Sequence, residues 1–348
     1  MSQNRHMPRR EVRWERMFPD ELERAFQECP LLYLTYGLCE PHGPHNAVGL
    51  DAIKAHAIAC RAALAHGGIV APPDFWHIHE IGGFGRWAYR CVGEIERNWT
   101  TAVPPWVHFR NVCYQIRTAD ALGFHAVILF TGHYGPNWKD LKKLVSILQP
   151  HVGARMYALP ESEANVPGFD GDGASGDHAG KVETSLLWAL EPESVDLSRM
   201  PPPEAQGTFW AMGQNARQAS RRIGERMVED EVRWLGAKAF ELLAEYDRVR
   251  PSVRLRTFAQ TERLWSEVVM PELKSFESMK EGWPGQPDVP PDSVWAANLP
   301  VPDRYPKFDS RASSLLIFHD VGSGKCPYCG SGMSESPCSG DRPVARAC

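Results

Sequence analysis

Within twelve residues the chain reads Glu40-Pro41-His42-Gly43-Pro44-His45 and then Asp51, the densest packing of metal-type side chains in the sequence. Two carboxylates and two imidazoles held this close repel or desolvate one another unless a cation sits among them, so the spacing points to metal binding. Taken alone, Asp51 reads first as the N-cap of the Ala-rich stretch that follows, and His42 as a satisfied polar residue. Two further clusters carry similar chemistry: Thr131-Gly132-His133-Tyr134-Gly135-Pro136-Asn137 and Asp177-His178-Ala179-Gly180-Lys181-Val182-Glu183-Thr184-Ser185. Singly, His178 and Glu183 read as cap or surface residues. Three clusters aimed at one place read as a site.

The elements that position them follow from periodicity. Residues 31–37 (LLYLTYG) form a short apolar run of strand type, so Glu40 and His42 fall just beyond its C-terminal end, where open α/β sheets place their ligands. Residues 125–130 (HAVILF) are a second such run and deliver His133 and Asn137 to the same edge. With strands also at 68–72 and 154–159 and helices at 51–66, 107–122 and 138–148, the alternation predicts an α/β domain with a mainly parallel sheet. Residues 161–177 are Gly- and Asp-rich without periodicity and read as a loop over the site. Helices are expected at 180–190, 214–246 and 258–276, followed by a Pro-rich linker or strap at 284–306.

Bulk properties exclude several classes. A chain of 348 residues, 43% hydrophobic and 23% charged, is ordinary for a soluble globular protein of one large domain plus an appendage, or of two domains. The net charge of −5 and short basic clusters leave no electrostatic footprint for nucleic acid. No apolar run approaches the ~18–20 residues of a membrane span and the first thirty residues are charged rather than signal-like, so a cytoplasmic location is expected. Nine cysteines, scattered through the body and bunched at 326, 329, 338 and 348, suit reduced thiols and a separate tail.

Together the three clusters resemble the creatininase family, also called creatinine amidohydrolases. Members carry Glu-x-His-Gly-Pro-His with an Asp nine residues after the first His, Gly-His-x-x-x-Asn after a central strand, and His-(Ala/Gly)-Gly-x-x-Glu-Thr-Ser. The three segments quoted above match these in order, and the resemblance covers about residues 30–247. It implies a three-layer α/β/α domain with a dinuclear site, commonly assembled as a hexamer, so a homo-oligomer is expected. Carried over, Asp51 would bridge two divalent cations, Glu40 and His133 would bind one, His42 would bind the other, and Glu183 would be the carboxylate that completes the coordination of that second ion. His178 matches the family histidine that shuttles a proton to the leaving nitrogen. Mixed His and carboxylate ligation without thiolate fits Zn²⁺, Mn²⁺ or Fe²⁺.

The resemblance implies a metal-dependent amidohydrolase cleaving a non-peptide C–N bond, in an amide, cyclic amide or formamide, with a metal-activated water; His178 and Glu183 are its catalytic candidates. In creatininase proper the turn after the strand holds a ligand Glu where this chain has Gly135, which makes creatinine an unexpected substrate. In place of a small Pro-Tyr-Gly-like segment stands Asp74-Phe75-Trp76-His77-Ile78-His79-Glu80, which reads as substrate pocket, structural element or extra ligand. Trp76, His77, His79, Tyr134 and Asp177 are the candidate substrate contacts. A catalytically altered or non-enzymatic binding or assembly protein is the alternative, and an oxidoreductase using a redox metal at this site is a third. Expected domains are 1–29 as an N-terminal extension or helix, 30–250 as the metallohydrolase body, 251–310 as helix and strap, and 311–348 as a Cys-containing tail. Within it Cys326 and Cys329 read as half of a zinc knuckle or as free thiols, and Gly322-Ser323-Gly324-Lys325 matches a phosphate loop only superficially.

Overall fold

The apolar run at the first strand is continuous rather than alternating because the strand is central and covered on both faces. In the computed structural model, which describes residues 10–79, 84–95, 97, 99–135, 137–164, 177–279 and 289–295, it forms β1 (Leu31–Tyr36), buried at every position. It follows helix α1 (Pro19–Glu28) and pairs in parallel with β2 (Ile69–Val70) and β3 (Ala126–Thr131); β4 (Arg155–Pro160) pairs with β3, giving the order β2-β1-β3-β4. Register runs from Leu31 opposite Ala126 to Tyr36 opposite Thr131. The segments after β1 and β3 therefore leave the sheet side by side at one edge, which brings the first two clusters together.

Alternate side chains divide the core into two layers. Leu32, Leu34, Tyr36, Val127 and Leu129 pack under α4 (Pro105–Leu122), α5 (Asn137–Leu148) and the C-terminal residues Leu264, Trp265, Val269 and Phe276. Leu31, Tyr33, Ala126, Ile128 and Phe130 pack under α2 (Leu50–His66), α6 (Lys181–Leu190) and α7 (Arg221–Val249). The result is the three-layer α/β/α arrangement. Among the described residues no helix is long and apolar enough to cross a membrane.

The departures from expectation have local causes. The long amphipathic helix starts at Arg221, not 214, because Ser220 caps it by accepting a hydrogen bond from Ile223 N. The helix expected at 258–276 runs in helical backbone to Ser275, but its hydrogen bonding passes from α8 (Phe258–Leu264) through a π-turn at Trp265–Val269 ahead of Pro271, which has no N–H to donate, to a 3-10 turn at Leu273–Ser275. Strand β2 is shorter than 68–72. Its neighbours Gly67 and Gly68 both adopt positive φ. A helix not anticipated, α3 (Phe84–Cys91), follows the His77/His79 segment. The expected loop begins instead as a 3-10 turn, Glu161–Ala164, with Glu161 fully buried; residues 165–176 lie outside the described residues. So do Glu80, Pro136, most of the Pro-rich stretch and the whole tail with Cys326 and Cys329.

Candidate metal centre

Helix α2 is driven tightly onto the strand ends. Gly37 and Gly132, just past β1 and β3, leave no room for a side chain: a Cβ on Gly37 would stand 2.2 Å from Ala52 N, and one on Gly132 2.1 Å from Asp51 O. Gly49, not Asp51, is the N-cap of α2, so the Asp51 carboxylate is released from capping and turns inward from the first turn. Glu183 occupies the corresponding first turn of α6. Two helix N-termini thus aim their positive ends and a carboxylate each at one point.

There the clusters converge. Glu40, His42, Asp51, His133 and Glu183 are all buried, Glu40, Asp51 and Glu183 at 1% exposure and His42 at 0%. Asp51 divides its oxygens between two imidazoles: Oδ1 lies 3.2 Å from His42 Nε2, and Oδ2 3.1 Å from His133 Nδ1. Glu40 Oε1 is 3.0 Å from His133 Nδ1, and Glu183 Oε2 is 3.6 Å from His42 Nε2. Two groups sharing Asp51 can each hold a metal ion, Glu40/Asp51/His133 and His42/Asp51/Glu183, and a third, Glu40/His42/His178, adjoins them. Both Glu40 oxygens, Asp51 Oδ1 and His42 Nε2 are buried without a hydrogen bond, a cost that a cation would remove.

The protonation pattern says the same. Burial opposes charge on all of these groups, yet Asp51, Glu183 and Glu40 raise His42 to about 9, and Glu40 and Asp51 hold His133 well above the usual imidazole range. Burial would raise Glu40, but His133 and His79 keep it well below the usual carboxylate range. The pocket demands positive charge, and a divalent cation supplies it while displacing the imidazole protons. The residues fit such an ion.

His178 borders this pocket. Its Nε2 sits 2.9 Å from Pro41 O and must donate to it, which leaves Nδ1 as the lone-pair nitrogen, 4.0 Å from Glu40 Oε1. The ring stacks on His42 at 4.5 Å between centroids, and burial together with His42 lowers it to about 4. A neutral imidazole with an inward acceptor can take up a proton. His79 Nε2 lies 3.4 Å from Glu40 Oε2. His77 lies behind the site: Nδ1 accepts from Ile78 N at 2.7 Å, Nε2 faces Thr131 Oγ1 at 3.4 Å, and the ring stacks on His108 at 4.1 Å. Trp76 is exposed. Asp177 caps α6, accepting from Val182 N at 2.8 Å and Glu183 N at 3.1 Å.

Four functional residues escaped sequence reading. Lys54, fully buried on α2, donates to Glu183 Oε1 at 2.7 Å and lies 3.1 Å from Glu161 Oε2 and 3.9 Å from the centre of the Tyr134 ring. Burial disfavours its charge, but Glu161 and Glu183 raise its pKa. Glu161 accepts from Tyr134 OH, and Glu231 is a buried α7 carboxyl that burial and Glu161 push well above the usual carboxylate range. Trp87 of α3 touches His79 at 4.9 Å and His178 at 5.1 Å between centroids, walling the site. The available signal was for Lys54 alone: a lysine three residues after Asp51, on the same face of an Ala-rich helix.

The family model for creatininase, creatinine amidohydrolase, matches residues 15–238. Among solved structures the chain is similar to creatininase in its Mn form (22% identity, TM-score 0.53, covering 66% of this chain and 98% of that one). It is equally similar to a mutant creatininase of Zn-Zn type (22%, 0.53, 66% and 98%). A putative creatinine amidohydrolase from Bacteroides fragilis NCTC 9343 is similar at 20% identity and TM-score 0.54, covering 67% and 97%. No curated protein matches the sequence.

Proposed function

The chain belongs to the creatininase family, and from that premise we propose that it is a metal-dependent amidohydrolase that binds two divalent cations, Zn²⁺, Mn²⁺ or Fe²⁺, and hydrolyses a non-peptide C–N bond of a small amide, cyclic amide or formamide. The observation that carries this reading is Asp51, whose two oxygens face two different imidazoles in a buried pocket of carboxylates. Glu40, His133 and Asp51 would hold one ion, and His42, Asp51 and Glu183 the other. When bound, such ions acidify a water molecule and polarise an amide carbonyl.

The chain's own residues account for the rest. His178, with Nδ1 inward and Nε2 anchored on Pro41 O, is placed to accept a proton and return it to the leaving nitrogen. Trp87 and His79 line the substrate side, with Trp76 farther out. We keep His77, Tyr134 and Asp177 out of substrate contact, because each serves a buried partner or a helix cap. Gly135 supplies no carboxylate, which argues against creatinine itself. We further propose a body of residues 30–250 that the later segments brace, working as a homo-oligomer, with a hexamer the family expectation.

Metal analysis of purified wild type and Asp51→Ala, with a panel of lactams, formamides and N-acyl compounds, tests this. We expect close to two divalent ions per wild-type chain, loss of both metal and turnover in Asp51→Ala, and turnover of at least one panel compound. Well under one ion per chain defeats the hydrolase reading. Metal that depends on Asp51 without any turnover favours a family member altered to binding, the reading to which the missing carboxylate at Gly135 points.

A further inference from the structure

Both oxygens of Glu183 are already engaged by donors of the chain. Oε2 accepts from Ala179 N at 2.7 Å, a backbone group fixed in a left-handed turn with φ of 48°, and the same oxygen faces His42 Nε2 at 3.6 Å. Oε1 accepts from Lys54 Nζ at 2.7 Å, which leaves Oε2 as the oxygen that faces His42. The ammonium itself is boxed in. Glu161 Oε2 lies 3.1 Å away, the Tyr134 ring covers it at 3.9 Å, and Tyr134 OH ties the same Glu161 carboxylate in place. Lys54 is fully buried three residues along α2 from Asp51, so a fixed positive charge stands beside the place where a metal would be held.

We propose that Lys54 is a built-in cation that locks Glu183 as a single-oxygen ligand and weakens metal binding in the His42/Asp51/Glu183 half of the centre. The proposal rests on the metal reading above. Its physical content is twofold. A unit positive charge a few ångströms from a divalent ion in a buried pocket repels it. The Lys54 hydrogen bond also withholds Oε1, so Glu183 cannot chelate with both oxygens. A neutral side chain at position 54 removes both restraints at once. Affinity then rises and the coordination number grows by one.

The test uses Co²⁺ as probe, titrated into the metal-stripped full-length chain as wild type, Lys54→Met, Lys54→Arg and the double variant Lys54→Met/Glu161→Gln. The double variant also removes the Glu161 charge that the ammonium balances, so that Glu183 Oε1 alone loses its donor, and far-UV circular dichroism of each variant verifies the fold. In Lys54→Met and in the double variant, Co²⁺ binds roughly tenfold or more tightly at this half. Visible absorption per bound ion falls, because higher-coordinate, more nearly centrosymmetric Co²⁺ absorbs less strongly. Lys54→Arg keeps the charge and the wild-type spectrum. Equal or weaker affinity with an unchanged spectrum in the folded double variant overturns the role of Lys54 while leaving the metal centre standing. A wild type that takes up no Co²⁺ overturns the centre itself.

Discussion

Gly132 lies directly beneath the Asp51 carbonyl, so close that a methyl group on it would stand 2.1 Å from that oxygen. The contact couples the end of the central strand β3 to the first turn of α2 and thereby sets the height of the Asp51 carboxylate between His42 and His133. Gly132→Ala must lift the start of α2. Overpacking of this kind costs about 1–3 kcal/mol, and the larger effect falls on the site, because ligand atoms displaced by an ångström no longer converge. We expect a folded protein with a lowered unfolding midpoint and at least tenfold weaker metal binding. Equilibrium dialysis against Zn²⁺ or Mn²⁺ checks it; wild-type affinity would show that Asp51 is positioned by something other than this contact.

Why the site was legible from sequence and its surroundings were not has a physical basis. Glu40, His42, Asp51, His133, His178 and Glu183 sit at the ends of strongly patterned elements, so strand and helix periods alone deliver them to one sheet edge. Lys54, Glu161 and Glu231 come together, and Trp87 reaches His79 and His178, only through tertiary packing of α2, the turn after β4, α7 and α3, and nothing local separates a buried lysine from a solvated one. Asp177 reads as a polar group over the site because the helix it caps starts four residues later, at Lys181. The π-turn after α8 was missed because apolar spacing continues through it and past Pro271.

His108 makes acid stability a test of the packing behind the site. It is buried beside His77 and under Tyr36, and burial pushes its imidazole down to about 4. The unfolded chain protonates the same group near 6.5 and so binds more protons than the fold between those two values. Stability from this group is therefore full above pH 6.5 and is lost as pH falls toward 4. His108→Phe keeps the ring and removes the titration. From pH 6.5 to 4.5 the variant should lose about 2–3 kcal/mol less unfolding free energy than wild type. Urea unfolding of metal-stripped protein at the two pH values measures the difference, and parallel losses would refute it.

Asp120 ties three parts of the chain at one carboxylate. From the last turn of α4 it accepts from Ala154 N at 2.9 Å ahead of β4, from Arg254 Nη1 at 3.1 Å, and from Leu255 N. Asp120→Ala strands two backbone donors and removes one partner of the half-buried Arg254 guanidinium, which keeps Phe124 O and Tyr246 OH, and this costs about 2–4 kcal/mol. Asp120→Asn keeps an acceptor and should lose less. Urea unfolding curves for the pair report both values, and a loss below about 1 kcal/mol in Asp120→Ala would mean that water replaces the carboxylate.

Trp295 ties a later segment of the chain to the substrate wall. Its indole is 1% exposed and packs with Ala88 and Val92 of the α3 segment, with Ala211 and with Val289. Its Nε1 donates to Gly93 O at 2.7 Å, while Val294 N donates to Glu94 Oε2 at 3.1 Å. This C-terminal segment therefore clasps the end of the helix whose Trp87 touches His79 and His178. Truncating a buried tryptophan costs about 3–5 kcal/mol, and here the loss is local to α3, since no metal ligand lies in that cluster. In Trp295→Ala, amide exchange across residues 84–93 should quicken by roughly a hundredfold while metal content stays at the wild-type level. With a substrate in hand KM should rise more than kcat falls, because the wall is loosened while the ligands and His178 stay in place. Trp295→Phe, which loses the hydrogen bond but keeps most of the apolar contact, should show a smaller change in the same direction. Loss of metal in Trp295→Ala, or unchanged exchange over α3, would show that the segment braces something other than the wall.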